Sequence, residues 1–248
     1  MASPMSRDQV LDELGILATV EHALIVEYLS INSALGQDLP DDQGGATTDQ
    51  GREAAGAAFS LAFREMIQFR DVNLALVEAE RPAETGRAFS IKSGSAPEIS
   101  LEPPSKPQLE GLVEREKAIA KAVDERYKQL APAVTSAPVF EDGLLDRMKR
   151  LIVEDGPMHE AALGPLNSLG NPVPPDILVV TRRDTDDPFE QRLLDASDAI
   201  YRVVVATLRD RFAPPAFGSQ TPVTAMEALN DIDRALVQRG LLPPFTAP

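Results

Sequence analysis

The stretch Leu151-Ile-Val-Glu-Asp-Gly-Pro-Met-His-Glu160 puts Asp155 and His159 four residues apart. Both fall on the stripe that Leu145, Met148, Ile152, Ala162 and Leu166 trace in steps of three and four. Such spacing predicts a helix, here from Glu141 to Leu169, with a carboxylate and an imidazole on its apolar face. Burying those groups costs free energy unless each is paired or compensated. Gly156 and Pro157 stand between them and predict a local distortion of the helix.

Three earlier segments repeat the anomaly. A first helix, capped at Ser6 and ending at Leu35 before Gly36, carries the stripe Leu14, Leu17, Glu21, Leu24, Tyr28, Ile31, Leu35, which Glu21 interrupts. A second, from Asp49 to Glu80 and closed by Pro82, carries Ala58, Leu61, Glu65, Gln68, Val72 and Leu76. A third, over 108–131 and ended by Pro132 and Pro138, carries Leu109, Leu112, Glu116, Ile119, Val123, Tyr127 and Leu130. The connections 36–48 and 170–188 read as loops by composition. The connection 83–107 reads as irregular, a long crossover or a lid over a site. The run Ile177–Val180 suits a short strand or an apolar plug. Two further helices are predicted over 188–212 and 222–239. The expected architecture is all-α: a ferritin-like four-helix bundle over 1–170 with long crossover loops, and a C-terminal helical extension over 171–248 packed on it as one compact domain.

Bulk composition narrows the function classes. The 248 residues carry a net charge of −15 with a sequence pI near 4.6. That sign argues against nucleic acid and against an anionic membrane surface as partners. The absence of cysteine removes disulfides, zinc-thiolate sites and thiol nucleophiles. The N-terminus has no apolar signal region, and no apolar run approaches the roughly 18 residues that a bilayer span requires. The expectation is a cytoplasmic protein that meets a small-molecule substrate and, in a homodimer, a second copy of itself.

Mid-stripe positions of four bundled helices converge in the core. There Glu21, then Glu65 with Gln68, then Glu116, then Asp155 with His159 follow the order of the ferritin-like dimetal pattern, one Glu from each of two helices and Glu-x-x-His from each of the others. Two departures stand out. Gln68 replaces a histidine, and Asp155 and His159 are spaced by four rather than three. Carboxylates and imidazole suit iron, manganese or another divalent metal, and a dication keeps nearby buried carboxylates ionised. Metal candidates are thus Glu21, Glu65, Glu116, Asp155 and His159, with Gln68 a weak ligand at best. Catalytic candidates are Glu21, Glu65, Asp155 and His159.

The segments Glu21-His-Ala-Leu-Ile-Val-Glu-Tyr-Leu29 and Arg64-Glu-Met-Ile-Gln-Phe69, with Asp155-Gly-Pro-Met-His159, resemble the ferritin-like iminophenyl-pyruvate dimer synthase family of violacein biosynthesis over roughly residues 10–170. The resemblance implies a helical bundle with a metal site in a secondary-metabolite or antibiotic pathway. Glu21, Glu65 and His159 carry over by motif, followed by Glu116, whereas Gln68 departs from the family's histidine.

Three functions fit these residues. One is a metal-dependent, iron-using oxidoreductase or coupling enzyme acting on a small organic substrate. Another is a metal-free isomerase or cyclase in which crowded carboxylates serve as general acid and base. The last is a non-enzymatic helical binding protein. A lone Glu on an apolar stripe most often ends the stripe or pairs with a buried Arg; four such positions at matched depth favour one shared site. Of the remaining polar residues, His22 is expected on a flank and Glu27 in a solvated or interhelical role. Tyr28 and Tyr127 are expected in the core. Arg64 and Arg70 flank the second motif. The runs Asp41-Asp42 and Asp184–Asp187 are expected to be solvated.

Overall fold

The computed structural model describes residues 5–35, 49–92, 98–101, 111–136, 142–167, 184–212 and 221–245. Among these, six helices and one strand pair follow in the order α1 (Arg7–Ala34), α2 (Asp49–Glu78), β1 (Ser90–Ile91), β2 (Ile99–Ser100), α3 (Leu112–Ser136), α4 (Asp142–Asn167), α5 (Pro188–Phe212) and α6 (Thr221–Val237).

Local chemistry sets the helix ends. The Ser6 hydroxyl accepts from Gln9 N at 3.3 Å and the Gln9 side chain accepts from Ser6 N at 2.8 Å, a reciprocal cap that opens α1. At the end of α2 the chain turns through Glu80 in the left-handed region, φ 62°. This lets Arg81 N return to the Leu76 carbonyl at 2.9 Å. Pro82 follows. Asp187 accepts from Phe189 N at 2.7 Å and opens α5.

The predicted stripes are the buried faces. Leu14, Leu17, Leu24, Ile31 and Leu35 of the first are sealed from solvent, as are Ala58, Leu61, Val72 and Leu76 of the second and Ile119, Val123 and Leu130 of the third. Each such leucine contributes about 1.5–3 kcal/mol by leaving water. A run of alanines on α2 (Ala54, Ala55, Ala58, Ala62, all fully buried) lets its backbone approach α1, and the Asn32 amide reaches the Ala55 carbonyl at 2.9 Å. α1 packs on α2, α2 on α4, α4 on α3, and α3 returns to α1, the least extensive of the four contacts. α5 and α6 pair with each other and touch α1 and α2. There Val26, Tyr201, Val205, Leu229 and Phe245 form a second apolar cluster.

Against the expectation that no apolar run is long enough, α1 is by length and composition long and apolar enough to cross a membrane, because an average over the window tolerates single charged residues. In the fold, 78% of that apolar window lies buried inside the protein.

The structure corrects the expected outlines in two places. Residues 83–107 are not wholly irregular: β1 and β2 pair antiparallel, Ser90 opposite Ser100 and Ile91 opposite Ile99. Pro132 does not end α3, which continues to Ser136, because a proline this close to a helix end forfeits one bond where the ladder is already closing. As expected, α4 is one helix through Pro157, and it runs through Pro165 as well. Val153, whose carbonyl would have bonded residue 157, is 70% exposed, and Pro157 is exposed as well, so water can take the orphaned carbonyl. Leu109, Ile177–Val180 and Asp41-Asp42 lie outside the described residues, as do the side chains of Leu145, Met148, Ile152 and Asp155.

Candidate functional site

The core at the centre of the helix ring is polar. Glu21, Glu65 and His159 are 0% exposed and Glu116 is 1% exposed, each on a different helix. His159 organises one half. Its Nδ1 lies 2.6 Å from Glu116 Oε1, and since a carboxylate accepts, Nδ1–H donates. The Glu116 Oε2 atom accepts from the Tyr28 hydroxyl at 2.8 Å; that hydroxyl also lies 3.4 Å from Nδ1. On the other side of the ring, His159 Nε2 faces Glu65 Oε1 at 3.4 Å.

The second half lies further along the bundle. Glu21 and Tyr28 are two turns apart on α1, roughly 10 Å. There Tyr127 donates to Glu21 Oε1 at 2.7 Å and lies 3.5 Å from Gln68 Oε1, with Gln68 itself 5% exposed. Glu65 and Gln68, one turn apart on α2, serve the two halves in turn. The arrangement is reciprocal between α1 and α3. The tyrosine of α1 holds the glutamate of α3, and the tyrosine of α3 holds the glutamate of α1.

Of the predicted site residues, the structure joins Glu65, Glu116 and His159 directly and brings in Glu21 through Tyr127 and Gln68. The Asp155 side chain lies outside the described residues. Glu116 does not stand beside Glu65: the two carboxylates take opposite nitrogens of one imidazole. Among the described residues, accordingly, no three His, Asp or Glu side chains converge on one point suited to a metal ion. The two tyrosines were expected as plain core. Their signal in the sequence is their register, seven residues after Glu21 and eleven after Glu116, since a buried phenol needs a hydrogen-bond partner.

Electrostatics follow burial. The Tyr28 phenol is pushed well above its ordinary range by loss of solvent and then by the charges of Glu116, Glu65 and Glu27, so it stays a proton donor. Glu27 is buried and pairs with Arg115 at 2.7 Å, an interhelical role. Burial raises its carboxyl to about 7, against the pull of Arg115.

His22 stands apart from this cluster. Its Nδ1 lies 3.1 Å from both the Thr85 and Gly86 carbonyls, so that nitrogen carries the proton. Its Nε2 accepts from the Tyr201 hydroxyl at 2.6 Å. Burial, foremost, lowers its pKa and keeps the ring neutral. His22 therefore ties the chain after α2 and helix α5 to α1. Arg64 is exposed and Arg70 pairs with Asp71 at 2.8 Å. Asp184, Asp186 and Asp187 are exposed.

No protein-family model, no curated protein and no solved structure matches the chain.

Proposed function

We propose that the chain is a ferritin-like bundle enzyme whose buried carboxylate–imidazole centre acts, with a divalent metal such as iron, on a small organic substrate of a biosynthetic pathway. One observation carries the reading. With Nδ1–H given to Glu116, His159 presents the lone pair of Nε2 to Glu65 Oε1 at 3.4 Å, acceptor facing acceptor. A proton or a metal cation between them would satisfy both acceptors. The pattern is the one metal-binding histidines adopt, in which the far ring nitrogen donates to a carboxylate that fixes tautomer and orientation.

The residues fit a metal by chemistry: fully buried carboxylate and imidazole donors, of the class iron and manganese take. Glu65 and His159 Nε2 would hold the ion, while Glu21 and Gln68 belong to the second half, further along the bundle. Glu116 is reassigned from ligand to the group that orients His159, and Tyr28 in turn orients Glu116. When bound, the metal supplies Lewis acidity or redox chemistry. The chain's own residues fix the donors, exclude water and, through Tyr28 and Tyr127, keep two carboxylates from rotating away.

The resemblance to the iminophenyl-pyruvate dimer synthase family and the cyclic contact order of α1, α2, α4 and α3 support the fold half of this reading. A second reading rests on the same gap filled by a proton. Glu65, His159 and Glu116 then form a relay for acid–base isomerisation or cyclisation. Elemental analysis of protein grown with added iron and manganese separates the two. Stoichiometric metal in the native chain, lost in Glu65→Ala and in His159→Ala, is the expected result. A native chain with no bound metal sinks the first reading and leaves the relay.

A further inference from the structure

α1 and α3, the least extensive contact of the helix ring, meet along a seam bridged by two rows of polar contacts. The inner row consists of Tyr28–Glu116 and Tyr127–Glu21. The outer row uses the residue preceding each of the α3 members. Arg115 Nε donates to Glu27 Oε1 at 2.7 Å, and Arg126 Nη1 donates to Glu13 Oε1 at 2.5 Å. Each arginine has a second hold, always on the strand pair. Arg115 Nη2 donates to the Ser100 carbonyl of β2, and Arg126 Nη2 donates to the Lys92 carbonyl just past β1 at 3.2 Å. Ile91 of β1 is buried against the core, and so is Leu101 just past β2. The strand pair is thus fastened over the seam behind which Glu21, Gln68 and Glu116 lie.

We propose that this seam is the entrance to the buried centre, that β1–β2 is the strap closing it, and that Arg115 and Arg126 are the clamps whose release admits small ligands. The proposal takes the centre of the previous section as its destination.

Four features support a clamp that can let go. The clamps are side chain to backbone and span sequence-distant segments, so neither is part of a helix ladder. Glu27 Oε2 is buried with no hydrogen-bond partner among the described residues, and so is Arg126 Nε, so neither clamp uses all its bonding capacity. Burial already holds the Glu27 carboxyl at about 7, so its ionised pairing with Arg115 is only weakly favoured near neutrality. The strand pair itself is two residues deep on each side and cannot hold its place alone.

The chain has no cysteine, so one introduced thiol reports access at one place. Gln68→Cys sits behind the seam. Ala55→Cys, also buried, sits 13 positions earlier on the same helix, roughly 20 Å away, opposite Asn32. The labelling rate of each thiol by methyl methanethiosulfonate is measured in the native background and with Arg115→Gln plus Arg126→Gln. The expected result is at least a tenfold faster labelling at position 68 with little change at position 55. Equal acceleration at both positions would mean that the clamps only stabilise the fold, and no acceleration at 68 would mean that the route lies elsewhere; either result overturns the proposal. The readout requires no bound metal, so it is independent of whether the centre proves to be metallic.

Discussion

At the residue scale the site divides labour among groups that look alike in the sequence. Glu65 and Glu116 are both mid-stripe glutamates, yet one faces His159 Nε2 and the other takes the Nδ1 proton. The two roles predict different outcomes. Glu116→Gln should retain metal but bind it some 10–100-fold more weakly, as loss of an orienting partner does. Glu65→Ala should abolish stoichiometric binding, and chelator competition distinguishes the two. Tyr28→Phe preserves the ring and deletes the donor to Glu116. It should cost about 1–3 kcal/mol in urea unfolding, the usual consequence of a buried acceptor losing its donor. A change within about 0.5 kcal/mol, typical of uncoupled positions, would show that Glu116 does not depend on that hydroxyl. Helical periodicity was enough to place Glu21, Glu65, Glu116 and His159 in one core, because a buried stripe leaves a polar residue nowhere else to point. It could not assign the two faces of one imidazole, which depend on how far each helix slides along its neighbour. It also could not separate Tyr28 and Tyr127 from ordinary core, since ring and hydroxyl are read as one apolar residue.

Among the elements, α4 is the one most at odds with its own sequence. It carries Pro157 two residues before His159, on its solvent side. Restoring the missing donor with Pro157→Ala should raise the melting temperature, with a gain of up to about 3 kcal/mol. If the proline also sets the helix path that delivers His159, the same change should lower metal occupancy. A stabilised variant with unchanged occupancy would assign the proline no part in positioning the histidine. α1, α2 and α5 were legible to within a few residues because caps, terminal glycine and closing prolines agree with periodicity there. β1 and β2 were not. Two-residue strands have no period to read, and the arginines that fasten them belong to α3, far away in the chain.

For the whole molecule, burial of acids sets the response to pH. Asp233 of α6, held by the Ser197 hydroxyl at 2.6 Å, is raised by burial from 3.8 to about 7, and Glu27 is raised from 4.5 to about 7. In both cases the folded state holds its proton more tightly than the unfolded chain. Their contribution is therefore fully present below the unfolded values and is lost as pH rises towards 7. Mutual repulsion in a chain of net charge −15 acts in the same direction. Thermal unfolding should thus occur at higher temperature at pH 5 than at pH 8. Asp233→Asn, which keeps an acceptor for Ser197 without the charge, should be about 1–3 kcal/mol more stable than the native chain at pH 8. An unchanged pH profile in that variant would acquit Asp233. The tyrosines give the molecule one more property. With no tryptophan and three tyrosines, its near-ultraviolet absorption and emission come almost wholly from Tyr28, Tyr127 and Tyr201. All three are buried: two are hydrogen-bonded to carboxylates of the centre and the third to His22. The native chain thus carries its own optical probe, with two of its three chromophores attached to carboxylates of the centre. Tyrosine emission, quenched where a phenol donates to a carboxylate, should change when those carboxylates gain a proton or a cation.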